Sequence, residues 1–274
     1  MHPVPSQALR LQFSVELSYT VTAPGADFIF NFQAARTARQ VIVDESLFIQ
    51  PWSPSREYAD PVGGGRVLRL SPGTGELLVR YAAVVDLDHR RDVPAQVPET
   101  PVRELPGHVL PYLYPSRYCQ SDRLHRLAVK EFGHLWQGYS RVQAIRDWVQ
   151  NRVTFRSNSS TGNTTAVDTL VEEVGVCRDF AHLMIALCRA VNIPARFTTG
   201  IDYGADPALG PPDFHAYVEV YLGDRWYLFD PSGTGRAMKE WVVIPWAAQK
   251  AWDGFADQAV AAQKSAVKKP SKKT

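Results

Sequence analysis

One stretch sets the terms for the rest of this chain. Gly175 to Ala190 (GVCRDFAHLMIALCRA) reads as a helix that begins at a cysteine. Phe180, Leu183, Met184, Leu187, Cys188 and Val191 recur at three- and four-residue steps, which predicts one apolar, buried face. Asn192-Ile193-Pro194 closes the helix, because proline cannot continue it and the residue before proline avoids the helical region. Cys177 then falls in the first turn. Unpaired backbone N–H groups and the helix dipole favour an anion there, so the position suits a thiolate. A lone cysteine is more often a small buried apolar residue. Two later residues change that reading for Cys177.

After the helix the apolar period shortens from about 3.6 residues to about 2. Ala195 to Ile201 is a first strand, and Asp202 to Pro212 is a loop rich in Gly, Pro and Asp. His215 to Leu222 alternates and is β-rich, Gly223-Asp224 is a turn signal, and Arg225 to Asp230 is a strand stopped by Pro231. The last two strands make a hairpin. A two-residue turn at Leu222-Gly223 opposes His215 directly to Asp230; a turn at Gly223-Asp224 makes them diagonal neighbours. Both place them on one face within reach of each other, and only an unbulged three-residue loop separates them. A histidine and a carboxylate therefore meet downstream of a helix-opening cysteine. That is the arrangement of nucleophile, base and orienter: Cys177 attacks a carbonyl carbon, His215 handles the proton, and Asp230 fixes the imidazole tautomer.

Three blocks carry a resemblance to a known family: Gly175 to Leu183 (GVCRDFAHL), Phe214 to Leu222 (FHAYVEVYL) and Trp226 to Pro231 (WYLFDP). Together they resemble the bacterial transglutaminase-like superfamily, whose members are often described as cysteine proteases. The likeness runs from about Tyr112 to Met238. It implies a papain-like core with Cys177, His215 and Asp230 as the triad. After Asp230 the match weakens: similar proteins continue into a Gly-Arg-Asp-rich segment, where this chain reads Gly235 to Trp241 (GRAMKEW).

The fold class expected is α+β, an N-terminal antiparallel β-sandwich followed by a papain/transglutaminase-like core of helices on an antiparallel sheet. Strands are expected at Leu9 to Thr22, Phe28 to Phe32, Gln40 to Val43, Val67 to Leu70 and Leu77 to Val85, punctuated by Pro24-Gly25, Gly63 to Gly65 and Ser71-Pro72-Gly73. The expected division is a β domain at 1–92, a proline-rich connector at 93–114, a catalytic domain at 115–262 and a basic tail at 263–274. Within the catalytic part, one helix starts at a Ser121 or Asp122 cap and turns Leu124, Leu127, Ala128 and Phe132 inward. A second starts at Ser140 with Gln143 completing a capping box. A third covers Ala166 to Val174 with Val167, Leu170, Val171 and Val174 at helical steps. Trp241 to Trp252 reads as a closing strand followed by a helix from about Ala247 to Ala262.

A net charge of +2 over 274 residues argues against bulk attraction to nucleic acid. No stretch approaches the roughly 20 apolar residues of a membrane span. The first ten residues lack an apolar signal core, and three widely spaced cysteines form no disulfide framework, so a cytoplasmic location is expected. Asp86, Asp88, His89 and Asp92 can be read as a metal cluster, but a polar strand end accounts for them as well; neither metal nor cofactor is expected. Cys119 and Cys188 read as structural. His182 sits about 140° round the helix from Cys177, which disfavours it as the base. Asp179 in the first turn is favoured by the dipole whatever its role. Asp202, Tyr203 and Asp213, beside the catalytic strand, are the candidates to rim a substrate pocket.

Three functions share this pattern. The first is a thiol hydrolase acting on an amide or peptide bond through an acyl-enzyme on Cys177. The second is a transglutaminase-type acyl transferase, in which an amine intercepts the same intermediate. The third is a non-catalytic peptide-binding module, which triad completeness disfavours. The partner expected in each case is a peptide or protein.

Overall fold

The computed structural model describes residues 9–88, 92–203, 214–233 and 240–244. Two compact units divide at Asp88, the second ending at Val243.

The first unit consists of two three-stranded antiparallel sheets. One orders β1 (Leu9–Val21), β6 (Gly75–Leu87) and β3 (Gln40–Gln50), with β6 central; the other orders β2 (Phe28–Phe30), β5 (Arg66–Leu70) and β4 (Ser55–Ala59). Strand alternation turns Leu77, Val79, Tyr81, Ala83, Val85 and Leu87 of β6 into a common core. Rings from both sheets share that core, including the pairs Tyr19–Phe28 and Tyr19–Phe30. β3 runs past the expected Val43, through a bulge between Ile42 and Asp44, and carries Glu45 inward. That inward charge is matched: Arg66, only 2% exposed, reaches Glu45 at 2.6 Å and Glu57 of β4 at 2.7 Å. β4 is short and exposed along its whole length, so it lacks the alternation by which a strand is read.

Among the described residues of the second unit, four α-helices pack together and against a sheet. They are α1 (Ser121–Phe132), α2 (Tyr139–Arg152), α3 (Ala166–Glu172) and α4 (Cys177–Ala190). A short parallel pair, β7 (Thr154–Phe155) with β8 (Val174–Gly175), leads into α4. The sheet orders β11 (Arg225–Phe229), β10 (Phe214–Leu222), β9 (Ala195–Tyr203) and β12 (Glu240–Ile244). α4 packs against α1, α2 and α3 as well as β9 and β10. It is therefore buried all round, from Arg178 to Ala190, rather than on the one face its apolar spacing predicted. Its polar residues are met by partners: Arg189 donates to the carbonyls of Ala195 and Tyr114.

The helix starts differ from expectation. α1 is capped at Gln120 with no side-chain hydrogen bond, so neither Ser121 nor Asp122 is the cap. α2 has Gly138 as its N-cap, and no Ser140 box forms. Its first N–H groups are met from the connector instead: Gly138 donates to Glu99 and Tyr139 to the carbonyl of Val97, both at 3.0 Å. Glu99 also pairs with the buried Arg141 of α2, which holds the connector onto the helix bundle. α3 does carry a capping box, between Thr165 and Asp168; Ala166 and Thr169 are its buried residues, and Val171 is 75% exposed.

No helix among the described residues is long and apolar enough to cross a membrane. Asp213, His89, the helix expected from Ala247 to Ala262 and the basic tail lie outside the described residues. Asp202 and Tyr203 continue the backbone of β9; their side chains fall outside as well.

Candidate active site

Cys177 opens α4, as its position after Gly175 predicts. Gly175 is glycine for a packing reason: a Cβ there would stand 2.8 Å from the Cβ of Asp179. The Asp179 carboxylate accepts from the Val176 N–H at 2.8 Å and so caps the helix one residue before the thiol. It is wholly buried and paired with Arg178, which also donates to the Thr161 carbonyl at 2.7 Å. Asp179 is thus the residue that seats Cys177, and Arg178 ties that seat to the preceding loop.

The hairpin register is the Gly223-Asp224 alternative. Leu222 opposes Arg225 and Val218 opposes Phe229. His215, paired with Gly200 of β9 on its other side, meets Asp230 as a diagonal neighbour, with Nε2 3.2 Å from Oδ1. Cys177 lies near enough to act, with Asp230, on the charge of His215. The structure thus brings two of the expected residues into direct contact, the imidazole at the start of a strand and the carboxylate at the end of its hairpin partner, while the thiol opens the neighbouring helix.

The electrostatics follow from this geometry. Burial alone would lower the His215 pKa, but the hydrogen bonds and charges of Asp230 and Cys177 outweigh it and push it up to about 10. Burial would raise the Asp230 carboxyl; the His215 hydrogen bond and charge, with two donors from Ser232, hold it below the usual carboxylate range. Carboxylate and thiol both favour the charged form of the imidazole, and the imidazole favours the charged carboxylate.

Ser232 is the neighbour that sequence reasoning missed. Its N–H and its hydroxyl both donate to Asp230 Oδ1, at 2.9 and 2.7 Å, and the hydroxyl oxygen lies 3.3 Å from His215 Nε2. The signal was present: an Asp followed two residues later by Ser is a side-chain-to-backbone turn. Gly233 completes the turn in a left-handed conformation (φ 63°), where a side chain would collide with Gln150.

The other polar candidates have different occupations. His182 is buried and stacked flat on Tyr118 at 5.1 Å; burial, then the charges of Arg178 and Arg189, drives its pKa well below the ordinary histidine value. Burial pushes the Cys188 thiol up, and Cys119 is buried. Asp86 is paired with Arg10, Asp88 with Arg39, and Asp92 accepts from the Tyr227 hydroxyl at 2.8 Å.

Fold and site together define an α+β protein with a papain-like core that opens a buried helix with a thiol. Residues 129–231 match the profile of the transglutaminase-like superfamily, and residues 9–108 match that of the bacterial transglutaminase N-terminal domain. A crystal structure of a candidate cysteine protease from Cytophaga hutchinsonii is 42% identical, with a TM-score of 0.81, over 88% of this chain and 82% of that one. The chain belongs to the transglutaminase-like superfamily. An uncharacterised Mycobacterium leprae protein is 24% identical over 38% of each chain. An uncharacterised Bacillus subtilis protein is 27% identical over 44% of this chain and 19% of its own length. The chain thus spans less than two fifths of either of these relatives.

Proposed function

We propose that this protein is a thiol-dependent hydrolase of peptide or protein amide bonds. The observation that carries the reading is the 3.2 Å contact of the Asp230 carboxylate with His215, beside a helix-opening thiol near enough to act on the same imidazole. In the reaction, the sulfur of Cys177 attacks the amide carbon. The developing oxyanion is met by backbone N–H groups at the start of α4, whose dipole favours negative charge. His215, already carrying a proton, delivers it to the leaving amine as the C–N bond breaks. The neutral imidazole then takes a proton from water, which attacks the thioester and frees the acid and the Cys177 thiolate, leaving His215 protonated for the next cycle. Asp230 keeps the ring in one tautomer and stabilises its charged form.

The matched domain descriptions name transglutaminases, which supports a second reading: an amine rather than water resolves the same thioester. One experiment separates the two. Wild-type protein and Cys177→Ala are incubated with a peptide library, with and without a labelled primary amine. Thiol-dependent cleavage that the amine leaves unchanged supports hydrolysis. Label incorporated into peptides in a Cys177-dependent way overturns it in favour of transfer. Turnover in neither case, from folded protein, overturns both.

A further inference from the structure

The register of the β10–β11 hairpin has a consequence beyond the triad. With Leu222 opposite Arg225, the position directly across from His215, continuing the same pairing beyond β11, is Ser232 rather than Asp230. Asp230 reaches the imidazole diagonally. Its Oδ1 receives three donors, two of them from Ser232 and the third from His215. Because the Ser232 hydroxyl proton is directed at that carboxylate at 2.7 Å, the hydroxyl oxygen turns a lone pair toward Nε2, 3.3 Å away. The Nε2–H group therefore faces two acceptors that are themselves hydrogen-bonded to each other.

We propose that Ser232 is a positioning residue for the thiol chemistry: its hydroxyl forms, with Asp230, a two-point seat that fixes the plane of the His215 ring. One acceptor leaves an imidazole free to rock about the Nε2 contact. Two acceptors on different atoms define the ring's orientation, and with it the direction in which the other ring nitrogen faces Cys177. The seat is built into a small turn: the Ser232 N–H fixes the Asp230 carboxylate through backbone, and Gly233 supplies the left-handed residue that lets the chain turn beside Gln150. Ser232 is 8% exposed, so water competes little for these bonds. This role rests on the triad reading, and the test is arranged to separate the two.

In Ser232→Ala the backbone N–H bond to Asp230 remains, so the turn is kept and only the hydroxyl is lost. Full-length protein labelled with ¹⁵N-histidine is titrated by NMR, and iodoacetamide alkylation of Cys177 is followed at neutral pH by mass spectrometry. Wild type, S232A, S232T and D230N are compared. The proposal expects S232A to lower the His215 midpoint by about one pH unit, the size of a hydrogen bond to a charged group, and to slow alkylation because the ring loses its fixed orientation toward Cys177, with S232T restoring both. S232A matching wild type in both measurements, while D230N shifts them, overturns the role of Ser232 and leaves the triad standing. D230N also matching wild type overturns the triad reading itself.

Discussion

Asp230 meets His215 diagonally across a two-residue hairpin turn, Oδ1 to Nε2 at 3.2 Å, and not in direct cross-strand register. Diagonal pairing puts the two residues on one face while freeing the directly opposed position for a third group, which the chain fills with Ser232. The charge state of the pair depends on this contact.

The His215–Asp230 pair stabilises the fold over a defined pH window. His215 is raised from its ordinary 6.5 to about 10, so its share is fully present below 6.5 and is lost as pH rises through about 10. Asp230 is lowered from 3.8, so its share is present above that value and is lost as pH falls through the folded-state value. Both describe one interaction and are counted once. Thermal unfolding of wild type against H215A between pH 5 and pH 11 is expected to show a stability difference that shrinks at the alkaline end.

Activity on any amide substrate is expected to lose its alkaline limb near pH 10, as the imidazolium that protonates the leaving amine disappears. In D230N the limb moves toward the ordinary histidine range. The pH profile of kcat/KM in the two proteins checks this.

Gly175→Ala is expected to destabilise the protein by about 1–3 kcal/mol, because the added methyl meets the Asp179 side chain at 2.8 Å where that side chain is wholly buried. Urea unfolding measures it. An unchanged midpoint would show that Asp179 gives way without cost.

Asp179→Ala is expected to cost more, about 3–5 kcal/mol, since it leaves the buried Arg178 without its carboxylate and the Val176 N–H without its acceptor. Activity is expected to fall with stability, because the same carboxylate seats the residue before Cys177.

These residues also show what a sequence makes legible. The helix at Cys177 was readable because its spacing, its glycine and its closing proline agree. The His215–Asp230 meeting was readable because both two-residue turns allow it. Which turn operates was not, and so neither was the place of Ser232 opposite His215, although its local turn with Asp230 carries a sequence signal. The cap expected at Ser140 fails because local rules assign helix N–H groups to nearby side chains, whereas at α2 they are met by Glu99 and Val97, some 40 residues upstream. The second half of β3 was hidden by Glu45, an inward charge made tolerable by the buried Arg66, by Arg36 and by the Tyr81 hydroxyl. α4 looked one-sided because its buried polar residues, Arg178, Asp179, His182 and Arg189, resemble a solvent face until their partners are known.

The most direct test of the central claim is the rate of iodoacetamide alkylation of Cys177 against that of Cys119 and Cys188 in the same folded chain, in wild type and His215→Ala. The two other cysteines, both buried, serve as internal references. The account predicts that Cys177 reacts at least roughly tenfold faster than either at mildly acidic to neutral pH, and that H215A removes most of the advantage, because thiolate character is what iodoacetamide reports. A Cys177 that reacts no faster than the buried pair, or whose rate is indifferent to His215, would contradict a thiol–imidazole couple.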